Sequence, residues 1–256
     1  MNWHRVIQSI RVLRVSNVLL QRVGMLLLIG GLAIVPTLQG RENPADLASN
    51  PESERPDLDP LLPTVFVAGD STAAKGKGVE QQGWAEPFKV FFDPAAVNVM
   101  NRARGGRSSR TFITEGLWQQ LIDDVKPGDV VIIQFGHNDG GAINEEPPGS
   151  TRPVRARGSL PGLGEESVEI DNVITGKHET VYTFGHYMRQ MIRDTRERGA
   201  TPVLASLTLR NLRDEQGKLE RGSGSYGGWT YRLAQEEKVQ FIDLTQRLAD
   251  DFEAMG

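Results

Sequence analysis

The chain has no cysteine among its 256 residues, so it can hold no disulfide, no thiolate metal site and no lipoprotein cysteine. Positive charge is also scarce, with 29 basic residues against 33 acidic ones. Four of the basic residues, Arg5, Arg11, Arg14 and Arg22, lie in residues 1–40, which carry no Asp or Glu, so the balance beyond is 25 against 33. Such a body offers no electrostatic footprint for nucleic acid, and none is expected as a partner. Aromatics make up 7% of the chain and do not interleave with the arginines, which removes the other sign of a nucleic-acid surface. No internal repeat is visible.

Long hydrophobic runs are missing too. The apolar stretch Val23 to Val35 is thirteen residues, short of the roughly 20 that a membrane span requires. Preceded by arginines, it fits the charged region and apolar core of a secretory signal, or an uncleaved N-terminal membrane anchor, over residues 1–40. A secreted or cell-envelope protein is therefore expected, with membrane contact only through that anchor. Residues 41–63 carry prolines at 44, 51, 56, 60 and 63 among acidic and small polar residues, the composition of a linker. Residues 64–256 are left for a single domain with one sizeable core, expected to be monomeric.

From Thr64 onward, short β-rich runs alternate with helical periodicity, which predicts a parallel sheet with crossover helices. The strand candidates are Thr64 to Ala68, Val97 to Asn101, Asp129 to Phe135, Pro202 to Leu207 and Gln240 to Leu244. Leu117, Leu121 and Val125 predict one helix, and Val181, Phe184, Met188, Met191, Ile192 and Thr195 a longer one ending near Gly199. A last helix starts near Thr245 as N-cap, with Leu248, Phe252 and Met255 on one face. Residues Gly140 to Thr180 show no sustained periodicity and read as a long irregular insertion overhanging the crevice.

Three polar clusters fall at predicted strand ends: Gly69-Asp70-Ser71, Gly106-Arg107-Ser108-Ser109-Arg110 and Gly136-His137-Asn138-Asp139. In an open parallel sheet, ligands bind outside the carboxyl ends of the strands, so the clusters converge on one place. A serine attacks a carbonyl when a base takes its proton and donors hold the oxyanion that forms. Ser71 fits the nucleophile, with its own backbone N–H at the start of a helical turn whose dipole would assist. Gly106 lets the backbone come close without a Cβ, making its N–H a second donor. Asn138 adds a side-chain amide that does not titrate. Taken singly, Asp-Ser-Thr after a strand is a common helix cap and Asn-Asp-Gly a common turn. Arg102, Arg104, Arg107 and Arg110 read as a solvated rim. The phosphate-binding pattern GxxxxGK[ST] fails at Ala74, and the esterase elbow GxSxG fails at Ala73.

Together the clusters resemble the SGNH, or GDSL, hydrolases, with Ser71, Gly106 and Asn138 matching the serine, glycine and asparagine blocks. Closer still is the rhamnogalacturonan acetylesterase family, through VFVAGDSTAA, GWAEPF, NRARGGRSSRTF, DVVIIQFGHNDGG, VYTFGHYMRQMI and VQFIDLTQRLADDFEAMG, which together span Thr64 to Gly256. The resemblance implies a three-layer α/β/α sandwich with a five-stranded parallel sheet in the flavodoxin-like order. It further implies removal of acetyl groups from plant cell-wall polysaccharide, without metal or organic cofactor. It makes Ser71 the nucleophile, the Ser71 and Gly106 amides with the Asn138 side chain the oxyanion hole, and His137 a local hydrogen-bonding residue. One block departs from the family: no Asp-x-x-His occurs anywhere in the 256 residues. His186 reads as a helix-surface or rim residue, and His178 reaches the crevice only if the insertion folds over it. A chain with little activity on its own is expected, and the alternative is a non-catalytic carbohydrate-binding protein derived from an esterase.

Overall fold

A computed structural model of the chain describes residues 58–76, 81–210, 212–213, 215–219, 221 and 224–255. The expected signal or anchor, residues 1–40, and residues 41–57 of the expected linker lie outside them. From Pro63 onward the chain forms one unit. Its strands are β1 (Thr64–Gly69), β2 (Asn98–Asn101), β3 (Val130–Gln134), β4 (Ser167–Asp171), β5 (His178–Tyr182), β6 (Thr201–Ala205) and β7 (Gln240–Ile242). Its helices are α1 (Ala85–Phe88), α2 (Ser109–Thr114), α3 (Leu117–Asp124), α4 (Phe184–Glu197), α5 (Gly224–Glu236) and α6 (Leu244–Met255). Among the described residues no helix is long and apolar enough to cross a membrane.

The five strands expected from sequence form one all-parallel sheet in the order β2-β1-β3-β6-β7, the flavodoxin-like order. Side chains alternate across a strand, and here both faces are covered. Val65 and Val67 of β1, Ile132 of β3, and Val203 and Ala205 of β6 form a core with Ala73 and Ala85, against which Trp84, Phe88 and Phe92 pack. The intervening residues Phe66, Val131, Ile133 and Leu204 are fully buried on the opposite face, where α3 packs on β1, and α4 and α5 on β6. The result is the expected α/β/α sandwich.

Several local readings change. Val181 belongs to β5 rather than to the long helix, which Thr183 caps by accepting from His186 N–H at 3.1 Å. Asp243, not Thr245, caps α6: its Oδ1 accepts from Gln246 N–H at 3.0 Å, while Thr245 is buried and donates to the Leu207 carbonyl at 2.6 Å. Helices α2 and α5 were not expected. The insertion is not irregular throughout, because β4 and β5 pair antiparallel, Ser167 with Tyr182 through Asp171 with His178.

The largest correction concerns Arg110. It is no rim residue, for its side chain has no exposed surface. A buried guanidinium must have its donors satisfied. Nε and Nη2 meet the two Glu179 carboxylate oxygens at 2.7 and 2.8 Å, and Nη1 donates to the carbonyls of Ile143 at 2.7 Å and Gly158 at 2.8 Å. Burial alone would raise the pKa of Glu179, but hydrogen bonds from Arg110 and from Asn172 at 2.9 Å overrule it and hold the pKa below its ordinary value. One side chain of α2 thus fastens three separate points of the insertion.

Breaking a buried pair from one side leaves an uncompensated charge, whereas replacing both partners by apolar groups removes the desolvation cost as well. Arg110→Met should therefore lower unfolding free energy in urea by about 3 kcal/mol. The double variant Arg110→Met with Glu179→Met should recover at least half of that loss.

Candidate active site

The strand order places β1 between β2 and β3, so the chain segments leaving the carboxyl ends of all three meet above β1. After Gly69 the backbone closes one turn, with the N–H groups of Ala73 and Ala74 both donating to the Asp70 carbonyl at 3.2 and 2.9 Å. No helix follows directly, so the helix dipole expected at Ser71 is absent and the N–H must act alone. Gly69 is required by closeness: a Cβ there would lie 3.1 Å from the Ala73 Cβ and 3.2 Å from the Gln134 carbonyl oxygen. The turn is braced by buried Asp70, whose Oδ1 accepts from Thr72 N–H at 2.8 Å and Thr72 Oγ1 at 2.9 Å. Gln134, also buried, accepts from Trp84 Nε1 at 2.8 Å and donates to the Ser206 carbonyl at 3.0 Å. On this frame Ser71 is exposed.

The segment after β2 runs alongside, its Arg104 N–H donating to the Gly69 carbonyl at 2.9 Å. It brings Gly105 so close that a Cβ there would sit 3.7 Å from the Ser71 Cβ. Gly106 follows at φ +78°, a left-handed conformation that a side chain would strain. Asn138, 8% exposed, reaches across from the end of β3 and donates Nδ2 to the Arg107 carbonyl at 2.8 Å. That bond uses one amide hydrogen and leaves the other available. Among the described residues, neither the Ser71 N–H nor the Gly106 N–H has an acceptor. Of the three groups expected from sequence, Ser71 lies against the segment that carries Gly106, and Asn138 is tied to that segment through Arg107.

No base joins them among the described residues. His137 bonds Thr208 Oγ1 through Nε2 at 3.0 Å, the local role expected for it. Burial lowers its pKa, with nearby Asp70 opposing and Arg210 reinforcing. His178 is exposed on β5 between Glu169 at 3.1 Å and Asp171 at 2.9 Å. His186 stacks on Tyr182 with ring centres 4.1 Å apart and bonds Glu165 at 2.6 Å, a rim position as expected. Among the described residues no group of three or more His, Asp or Glu is placed to hold a metal ion.

Sequence reading passed over Asp139. It is fully buried, accepts from Ser109 N–H at 3.1 Å and Ser109 Oγ at 2.5 Å, and from Ser159 Oγ at 3.2 Å. It thereby joins the Asn138 segment to the start of α2 and to the insertion. Burial pushes its pKa up to about 6, and the charge of Asp70 adds to the rise, against the hydrogen bonds from Ser109 and Ser159. Burial also raises Tyr226 to about 12, with Asp139 contributing.

With this geometry the relatives can be placed. Residues 67–255 match the GDSL-like lipase/acylhydrolase family. The chain belongs to that family. It is 34% identical over 196 residues to rhamnogalacturonan acetylesterase from Emericella nidulans, covering 77% of this chain and 73% of that one. To the rhamnogalacturonan acetylesterase RhgT of Bacillus subtilis it is 30% identical over 194 residues, covering 75% and 69%. The crystal structure of Bacillus subtilis YxiM superposes with a TM-score of 0.57 at 25% identity, covering 76% of this chain, which spans 47% of the length of that one. The chain is accordingly a hydrolase of the ester-cleaving kind.

Asp139 sets a pH dependence. Its folded pKa of about 6 lies above the ordinary value of 3.8, so the folded state holds the proton more tightly than the unfolded state does. Stability is therefore lost as pH rises from about 4 to about 6 and is level beyond, by a total on the order of 3 kcal/mol. In Asp139→Asn that slope should vanish, which urea denaturation at pH 4, 5, 6 and 7 would show as a variant gaining on the wild type as pH rises.

Proposed function

We propose that this chain is a serine esterase that removes acetyl groups from a cell-wall polysaccharide of the rhamnogalacturonan or pectin type. The observation that carries the reading is the exposed Ser71 lying against Gly105-Gly106, with Asn138 hydrogen-bonded to the next residue of the same segment. The relatives named for rhamnogalacturonan deacetylation support the choice of substrate.

In the proposed reaction Ser71 Oγ bonds to the acetyl carbonyl carbon and gives its proton to solvent water, which returns one to the leaving sugar oxygen. The carbonyl oxygen becomes an oxyanion held by the N–H groups of Ser71 and Gly106 and by Asn138 Nδ2. Collapse breaks the bond to the sugar oxygen, which leaves as a hydroxyl carrying a proton, and water then releases acetate from the acetyl-serine. A neutral amide suits this site, since Asp70 and Asp139 already place buried carboxyls close by. An exposed nucleophile suits a polymer, which cannot thread into a closed pocket. The reading includes export by residues 1–40, which brings the enzyme to its polymer.

A second reading, a carbohydrate-binding protein without catalysis, is favoured by one observation: each described histidine is hydrogen-bonded elsewhere and none to Ser71. On the esterase reading the same fact implies slow turnover by this chain, since an oxyanion hole without a base retains roughly 10³ to 10⁴ of catalysis over water.

Acetate release from acetylated rhamnogalacturonan and from p-nitrophenyl acetate separates the two. Esterase activity should be lost in Ser71→Ala, and Asn138→Ala should lower kcat about 10²- to 10³-fold with little change in KM. Binding of the polymer with no acetate released, by a chain whose Ser71→Ala variant behaves identically, would establish the second reading instead.

A further inference from the structure

Next to the Gly106 segment lies a cavity of about 740 Å³, lined by Gly140 and Gly141 and by Arg152, Arg155 and Arg157 of the insertion. It adjoins the reaction centre at two points. The Gly141 N–H donates to the Asn138 carbonyl at 3.0 Å, and Arg157 Nη1 donates to the Gly106 carbonyl at 3.1 Å. A sugar bonded to the one being deacetylated at Ser71 would fall within its reach.

Its backbone is built for a purpose that packing alone does not explain. Ala156, between two of the arginines, is buried with φ +43°, a left-handed conformation that strains a non-glycine residue. The strain is held by its neighbours on the C-terminal side. The Gly158 N–H donates to the Ala142 carbonyl at 2.8 Å and the Ser159 N–H to the Asp139 carbonyl at 3.1 Å, while Arg110 grips the Gly158 carbonyl. A Cβ on Gly158 would come within 2.0 Å of the Gly141 carbonyl oxygen, so this approach needs glycine. Backbone strain over-determined by its surroundings is a mark of functional sites.

The charge is unspent as well. Arg152 and Arg155 are exposed, and among the described residues neither has a carboxylate within salt-bridge distance, although Glu145 and Glu146 line the same cavity. In a chain of net charge −4, cations left without an acidic partner beside a catalytic serine call for an anionic ligand. A guanidinium offers a planar fork that matches a carboxylate with two parallel hydrogen bonds.

We propose that Arg152 and Arg155 form a carboxylate-binding subsite that grips a uronic acid of the polymer next to the acetylated sugar, with Arg157 positioning the arm against Gly106. The proposal rests on the acetylesterase reading and names what selects its substrate.

Binding to the full chain carrying Ser71→Ala tests it without turnover. Calorimetric titration would use three probes: acetylated oligomers of galacturonic acid and rhamnose, the same oligomers with their carboxyls reduced to alcohols, and neutral acetylated xylo-oligosaccharides. The uronate oligomers should bind at least tenfold tighter than the reduced ones, and raising salt should weaken only the former. Adding Arg152→Ala and Arg155→Ala should erase that tenfold preference and leave the Kd of the neutral oligomers unchanged, with the melting temperature confirming an intact fold. Equal Kd values for the uronate and reduced oligomers, a preference that survives the double substitution, or no measurable binding would each overturn the subsite. Failure of the esterase reading is seen separately, as carboxylate-dependent binding by a chain whose intact Ser71 releases no acetate from any ester.

Discussion

Arg110 has four of its five N–H donors engaged, and the architecture around the serine hangs from it. The guanidinium sits in α2, four residues beyond Gly106, and its partners Ile143, Gly158 and Glu179 are spread over the insertion. A desolvated cation in this position tolerates little movement, because any shift leaves either it or Glu179 unpaired in a poorly solvated place. The start of α2 is fixed at the same time by a capping box, in which Ser108 and Thr111 exchange hydrogen bonds, and by Ser109 on Asp139. The glycine segment beside Ser71 therefore enters a helix with no freedom at its first turn. Asn138, one residue before Asp139, is bound into the same lattice.

Topology then does the remaining work. With β1 central between β2 and β3, the segments after the three strands must rise side by side, and parallel register keeps their ends level: Gly69 pairs with Gln134 and Val67 with Asn101. Ser71 comes two residues after Gly69, Asn138 four after Gln134, and Gly106 five after Asn101. Such short excursions cannot diverge far, so Ser71, the Gly106 N–H and the Asn138 amide are carried on neighbouring segments, and the Asn138 bond to the Arg107 carbonyl ties two of those segments together. Gly69 lets the backbones approach where a Cβ would crowd Ala73 and the Gln134 carbonyl, and Gly106 takes a left-handed turn that a side chain would strain.

This explains what the sequence revealed and what it hid. Buried parallel strands such as Val130-Val131-Ile132-Ile133 are apolar on both faces and stand out, and the clusters at their ends stand out with them. Arg110 did not, because an arginine is almost never fully buried unless paired, and its carboxylate partner lies 69 residues away. Asp139 was missed for the same reason: it reads as a turn residue until Ser109 and Ser159 are brought to it from distant segments. Helix α5 carries Gly227 and Gly228 in its interior, which lowers its intrinsic propensity, and it is held instead by the contacts of Tyr226 with Trp229 and Phe184. Strand β4 is largely exposed on both faces and β5 buries only Val181 fully, so the hairpin lacks the apolar alternation by which a half-buried strand is recognised.

An exposed serine over a level set of strand ends has a consequence for selectivity. On the proposed reading, the donors around Ser71 recognise only the carbonyl oxygen that becomes charged, which is common to every acyl ester. Among the described residues Ser71 is exposed, so these segments do not bury the bond on its alcohol side. Discrimination between one ester and another must therefore come from whatever rises beside the crevice, and the insertion between β3 and α4 is fastened there by Arg110 and Asp139. The energy spent burying those two charged groups makes sense as the cost of rigidity in a segment that would otherwise be a mobile loop. If the proposed subsite distinguishes sugars by the position of a few charges, its wall works only when it does not move, and Arg157, Gly158 and Ser159 bond to Gly106, Ala142 and Asp139 respectively.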